Sequence, residues 1–460
     1  MADGEVHVDF DIKKVYVAVG DDEGTARLFS YDPPSRRVRR THIMEAPAGA
    51  IMQPPQPEQP YHTLGITSIS WNTVSNVSDM GEDTNIAHQM RILTSSKDAT
   101  CKVWYPWSAK GGSNVVSFQD KEKTSDGRRM DVTVGHTNYV NMACWKESGA
   151  EAGHQVVSCS DDGTAKIWDG ATGELRHTLH AEGLGHQGNV SMARWSADGS
   201  KILTCGHDML CMLWSPKNGH LTKVLPQISS KDPEKNHTGP IWSAEFGPSG
   251  HRVVTASKDC SVRTWDCNTG QSIVCFKDPK YKTPTMPHTM SHGEAVFGAT
   301  WNKHEGGHEV LSFSLDGTAK IWDNRQADKP AIVIDDHKGC VWSASYGNTS
   351  GTTILTASHD MSAMIYDKRR QQPKCILARH TGILWQAVLS PDDQYVVTCS
   401  DDRSARLWDL QGQDTSQSSD GRPQIRKPPS VLLSDNLSPY RAAVTCAAFA
   451  PSDQEVLASV

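Results

Sequence analysis

No run of about 20 apolar residues, the length a membrane-spanning helix needs, occurs anywhere in the 460 residues. The opening MADGEVHVDFDIKK also lacks the apolar core of a secretory leader. Membrane insertion is therefore not expected, and a cytoplasmic protein is. Nor is there a CxxC pair: the 12 cysteines are scattered from Cys101 to Cys446, and Cys159, Cys205 and Cys399 sit inside apolar runs. That pattern points to buried reduced thiols, not to a disulfide framework. An excess of positive charge is missing too. With a net charge of −7 the chain has no general attraction for nucleic acid or anionic membrane. Its one basic run, Arg36, Arg37, Arg39 and Arg40, reads as a solvated outer strand or loop, with contact to an acidic partner as the alternative. Finally, no unrepeated cluster of acid, base and nucleophile appears. No catalytic residue, cofactor, metal or small-molecule substrate is expected.

What is present is repetition. The phrase VVSCSDDGTAKIWD returns as ILTSSKDATCKVWY, ILTCGHDMLCMLWS, VVTASKDCSVRTWD, VLSFSLDGTAKIWD, ILTASHDMSAMIYD and VVTCSDDRSARLWD. Each copy reads as two strands around a polar corner. Upstream, a His precedes a large apolar residue by nine positions: His62 and Trp71, His136 and Trp145, His186 and Trp195, His237 and Phe246, His292 and Trp301, His337 and Tyr346, His380 and Leu389. Each copy closes on an aromatic residue, has an Asp six positions before it, and a Ser or Thr four positions before that Asp. The sets are His62, Thr94, Asp98 and Trp104; His136, Ser158, Asp162 and Trp168; His186, Thr204, Asp208 and Trp214; His237, Thr255, Asp259 and Trp265; His292, Ser312, Asp316 and Trp322; His337, Thr356, Asp360 and Tyr366; His380, Thr398, Asp402 and Trp408.

The chemistry of the set is coherent. Trp only donates, ionised Asp only accepts, and His and hydroxyl groups do both, so a linear relay satisfies all four when buried. Read as a Ser/His/Asp hydrolase, the set makes no sense, because a nucleophile belongs to one open cleft and not to every repeat. Residues, spacing and period resemble the WD-repeat family and its structural tetrad. The resemblance implies an all-β fold, a WD-repeat β-propeller with seven clear blades plus a degenerate eighth built from the termini. Tyr366 departs from Trp, so the sixth relay is expected to be weaker or rearranged.

The expected division is a degenerate terminal blade at 1–32, a Pro-rich connector at 33–61, seven repeats at 62–410, a polar linker at 411–439 and a partial blade at 440–460. In the degenerate copy Phe29 takes the Trp place, Glu23 the Asp place and Val19 the Ser/Thr place, and Tyr440 stands where His would be. Residues 440–460 either close the ring or begin a second propeller. The first repeat carries insertions at 72–90 and 107–131, expected at the rim.

In relatives such as heterotrimeric G-protein beta subunits, partner contacts lie three and five residues after the tetrad His and one before the tetrad Asp. Carried over, the fifth-residue positions read Thr67, Asn141, Ser191, Trp242, Phe297, Trp342 and Trp385. Blades four to seven thus present an aromatic arc, flanked by Lys258 and His359, as the expected protein-binding patch. The alternative is that these rings pack inward across the first strand of each copy, or are covered by the 45–60 or 412–429 segments. A second resemblance is local: Leu355 to Arg369 resembles the DWD box of cullin-RING ligase receptors, with Phe313 out of pattern in the preceding copy, and it implicates Arg325 and Arg369 as adaptor contacts. The expected function is a non-enzymatic scaffold binding other proteins within a cytoskeletal, ciliary or trafficking complex; the alternative is a ligase substrate receptor. Nucleic acid is not an expected partner.

Overall fold

A computed structural model describes residues 14–44, 61–72, 90–106, 115–118, 121–123, 129–133, 135–148, 151–180, 185–226, 236–276, 291–304, 306–326, 329–370, 372–411, 428–433, 440 and 442–451. It contains eight four-stranded antiparallel sheets. Strands a to d of each blade run from the inner edge outwards. The inner strands are Ile66–Trp71, Val140–Trp145, Val190–Trp195, Ile241–Phe246, Val296–Trp301, Val341–Tyr346, Leu384–Leu389 and Val444–Phe449. Each touches the next, and the last touches the first, so the sheets close into an eight-bladed propeller.

Burial explains the strand sequences. Strand b is covered by its own sheet and by both neighbouring blades, and it reads as a run of apolar and small polar residues without alternation, as in Gln155–Ser160 and Tyr395–Ser400, where every residue is buried. Inner strands mix buried and half-buried positions instead: Val140, Ala143 and Trp145 pack on the preceding blade, and the half-buried Met142 and Cys144 lean on the following one. The inner strand carries a defect at the same place in all seven repeats. The pairing of strand a with strand b shifts after its first residue, as between Val140 and Met142 or between Ile241 and Ser243, leaving the second residue out of register. That bulge re-aims one side chain per blade at the upper mouth of the channel.

The eighth blade joins the two ends of the chain. Val444–Phe449 pairs antiparallel with Val15–Asp21, which pairs in turn with Ala26–Asp32 and then Arg37–Met44. Two boundaries therefore differ from the expectation. The stretch from 33 begins as strand d of this blade rather than as connector, and Ser430–Leu432, placed in the polar linker, is strand d of the seventh blade. Both outer strands pair with a single neighbour and put few side chains into the core, Val38 and Met44 in one and Val431 in the other, so they carry no full apolar period. Residues 45–60, 73–89, 107–114, 412–427 and 452–460 lie outside the described residues. Within the second insertion, Lys121–Lys123 pairs with Arg129–Thr133 as a small hairpin. Among the described residues, no helix is long and apolar enough to cross a membrane.

Candidate functional site: the upper mouth of the channel

The upper face is held by the repeated polar sets. In six blades the indole N–H donates to the Ser or Thr oxygen at 2.8–2.9 Å: Trp104 to Thr94, Trp168 to Ser158, Trp214 to Thr204, Trp265 to Thr255, Trp322 to Ser312 and Trp408 to Thr398. In all seven repeats that hydroxyl lies 2.7–2.8 Å from His Nε2. Where a strand c carbonyl competes for the hydroxyl proton it lies farther off, at 3.3–3.5 Å. The proton therefore goes to the ring, and His Nδ1–H donates to the Asp carboxylate at 2.8–3.0 Å. All seven hydroxyls are 0% exposed, so none can reach a substrate as a nucleophile.

Burial holds His62, His136, His292 and His380 below the ordinary histidine range, against the pull of the carboxylate beside each, so these rings are neutral. For the aspartates burial acts the other way. It raises each carboxyl, but the adjoining His and hydrogen bonds from a hydroxyl and a backbone N–H outweigh it, and Asp98, Asp162, Asp259, Asp316 and Asp360 all sit below the usual carboxylate range. Part of that support was not foreseen in the sequence. A hydroxyl two residues after each Asp, from Thr100, Thr164, Ser261, Thr318, Ser362 or Ser404, donates to its second oxygen at 2.5–2.7 Å. The third blade has Leu210 there and supplies only the backbone N–H.

Two blades depart from the pattern. In the sixth, the buried Tyr366 hydroxyl donates to Met364 Sδ at 3.1 Å, and the Thr356 hydroxyl keeps His337 without an indole. In the closing blade Glu23, at the Asp place, is exposed. Asp21, two residues earlier, is buried and accepts the backbone N–H groups of Glu23 and Thr25, while the Arg27 guanidinium lies 4.2 Å over the Tyr440 ring.

Above this frame the bulge residues form a ring of two kinds. Thr445 Oγ1 donates to Ile66 O at 2.9 Å, Thr67 Oγ1 to Val140 O at 2.6 Å, and Asn141 Nδ2 to Val190 O at 2.9 Å. Each therefore clamps its own blade to the next. From the fourth blade on, the same positions carry Trp242, Phe297, Trp342 and Trp385. Their rings touch in sequence, with centroids 5.6, 5.0 and 5.4 Å apart at tilted or edge-on angles. The arc is continuous but unevenly exposed. Phe297 is 38% exposed and the three tryptophans are half-buried. The Nε1 atoms of Trp342 and Trp385 are buried and have no hydrogen-bond partner among the described residues.

Lys258 and His359 stand exposed on the turns of the fourth and sixth blades beside this arc. Tyr139, three residues after His136 and so at a position the spacing rule includes, is 46% exposed; the spacing missed Leu64, Met209 and Met361, which are 39–45% exposed. Met209 and Met361 have φ of +67° and +68°, a conformation usually left to glycine, and Gly163 and Gly317 occupy the equivalent turns. That substitution of Met for Gly after the Asp was the available signal. Phe313, out of pattern in the sequence, has a physical reason: a Cβ on Gly298 of the facing inner strand would lie 2.2 Å from its ring, so the missing side chain makes room for the phenyl group.

Arg325 and Arg369 lie after strand c on adjacent blades, 65% and 71% exposed in their side chains. Each guanidinium forks onto the Asp two residues before it, and these hydrogen bonds hold Asp323 and Asp367 down at about 2.

Comparison with known proteins agrees with this geometry. Residues 55–105, 127–169, 173–215, 232–266, 328–367 and 371–409, more than half of the chain, match the family described as WD domain, G-beta repeat. The fifth blade falls outside these matches although its relay is complete. The chain is 29% identical over 282 residues to the nuclear distribution protein PAC1 of Arthroderma benhamiae, covering 55% of this chain and 56% of that protein. It is 24% identical over 267 residues to WD repeat-containing protein 1 of Xenopus tropicalis, covering 58% and 40%. Protein tipD of Dictyostelium discoideum is 24% identical over 268 residues, covering 56% and 38%. This chain thus spans between 38% and 56% of the length of these relatives.

Proposed function

Because the chain belongs to the WD-repeat family, whose propellers are generally protein-interaction scaffolds, we propose that it holds other proteins at the upper mouth of its channel, through the arc of Trp242, Phe297, Trp342 and Trp385. The observation that carries this reading is the change of residue type at one backbone position. Where the bulge bears Thr or Asn, the side chain is spent on the neighbouring blade. Where it bears an aromatic ring, no such clamp is made, and large apolar surface is offered at the face instead. Partly exposed Trp and Phe at a rim are the residue types that dominate interface energetics. Lys258 and His359 supply polar contacts at the edge.

We read the activity as non-enzymatic, since every repeated hydroxyl is sealed beneath an indole or a tyrosine. The setting we propose is a cytoplasmic multiprotein complex, with a cytoskeletal or ciliary one foremost. The test is affinity capture from cells with the whole chain and its Trp342→Ala/Trp385→Ala variant, followed by mass spectrometry. The reading expects a protein set recovered with the first and lost with the second. Capture of the same set by both would remove the arc from the account.

A second reading, a ligase receptor, draws support from the two matching arginine forks exposed on adjacent blades. It expects a cullin-ligase adaptor in the captured set, lost with Arg325→Ala and Arg369→Ala and retained with the arc variant.

A further inference from the structure

The outermost strand of a blade has a free edge, and one charge on it is enough to discourage other strands from adding to it. Seven of the eight outer strands stay within that need. Leu175–Leu179, Leu221–Leu225 and Pro373–Leu377 carry one Lys or Arg each, and Val115–Ser117, Ser272–Phe276, Ile332–Ile334 and Ser430–Leu432 carry none. All are three to five residues long.

The closing blade is different. Its outer strand, Arg37–Met44, is eight residues long, and it opens Arg-Val-Arg-Arg directly after Arg36. Among the described residues it has one neighbour only, Ala26–Asp32, and no strand on its other edge. Arg36, Arg37 and Arg39 are exposed, and none of the three makes an ion pair among the described residues. Asp32, opposite Arg37 in the ladder, instead accepts the Ser35 hydroxyl. Arg37 and Arg39 are two residues apart and share one face of the strand. Like charges so placed repel one another, in a chain whose net charge is −7.

We propose that this strand is a docking edge for an extended acidic peptide, which adds to the closing blade as a fifth strand. Charge complementarity selects the occupant: an acidic residue at every second position of an added strand faces the Arg37 and Arg39 guanidiniums, which bind carboxylates through two parallel hydrogen bonds. Main-chain pairing to the free edge supplies the rest of the affinity. The surface lies on the outer rim, so it is independent of the channel mouth and leaves that site open.

Fluorescence anisotropy of the full chain tests this with a labelled decapeptide of alternating Glu and Thr. Three controls accompany it: alternating Lys and Thr, alternating Glu and Pro, and the Arg37→Thr/Arg39→Thr variant. Saturable binding of the Glu-Thr peptide is expected, with no binding of the Lys-Thr peptide. Affinity should fall at least tenfold for the Glu-Pro peptide, which has the same charge but lacks alternate N–H donors, and at least tenfold for the variant. Amide exchange of residues 37–41 in the unaltered chain should slow when the Glu-Thr peptide is added, a readout that needs no variant to fold. No binding, equal binding of the Glu-Pro peptide, or unchanged exchange at 37–41 would overturn the proposal. So would tighter binding of single-stranded DNA or phosphatidylserine vesicles.

Discussion

Two sides of the channel mouth share one backbone device and use it in opposite ways. On the side formed by the closing, first and second blades, the bulge residues Thr445, Thr67 and Asn141 each donate to the carbonyl that begins the next inner strand. On the side formed by blades four to seven, Trp242, Phe297, Trp342 and Trp385 lean on one another, and the indole nitrogens of Trp342 and Trp385 have no hydrogen-bond partner among the described residues. Ser191, between the two runs, has a buried hydroxyl with no partner among the described residues. The polar side uses its side chains for cohesion and the aromatic side keeps them for contact. Both rest on the same relays beneath, so cohesion of the ring does not depend on the arc.

The largest effect that could break this comparison is acid. The relay aspartates have folded pKa values below their unfolded ones, so their stabilisation is present above about pH 4 and is lost as pH falls. The buried neutral histidines act in the same sense: their folded pKa values lie below the unfolded value near 6.5, so the unfolded chain takes up protons first as pH drops. Urea midpoints should fall steadily below about pH 6.5. Because relays lie under both sides, amide exchange should report both loosening together; loss of one side alone would contradict a common frame.

Next in size is a single relay. Asp162→Ala under the polar side and Asp259→Ala under the aromatic side should each lower unfolding stability by about 3 kcal/mol, since each leaves a buried His and its hydroxyl unpaired. Unequal losses in urea melts would show that the frame is not shared. The arc comes third. Trp342→Ala should weaken partner binding at least tenfold, about 1.4 kcal/mol or more, while shifting the melting temperature by only a few degrees. A collapse in melting temperature would make the ring core. The smallest change sharpens the opposite side: Thr67→Val and Asn141→Ala should each cost about 1 kcal/mol of stability and leave partner binding unaltered in the same titration.

How much of this was legible before folding depends on whether a feature is written in side-chain type or in backbone pairing. The relay is of the first kind. Its donors and acceptors are fixed by residue type, and a period repeated seven times sets His136 with Ser158, Asp162 and Trp168 before any coordinate is known. The bulge is of the second kind. Nothing in Val140-Asn141-Met142 announces a register shift, which arises only when the strand meets Gln155–Ser160. The outer strands at Arg37–Met44 and Ser430–Leu432 were hidden for a related reason, because a strand anchored by one neighbour needs no apolar alternation. At the closing blade, aligned spacing pointed to Glu23, yet burial chose Asp21, whose carboxylate reaches two backbone N–H groups from inside the turn. The arc was visible as a list of residues, but not its uneven depth, with Phe297 outermost and the indoles of Trp342 and Trp385 turned in.

Hydrogen–deuterium exchange on the chain alone and with a partner recovered by capture tests the division of the channel mouth most directly. Slowed exchange at 240–243, 295–298, 340–343 and 383–386, with 65–68, 139–142 and 443–446 unchanged, is the predicted outcome. Protection confined to the Thr67 and Asn141 side, or to the rim arginines, would contradict it.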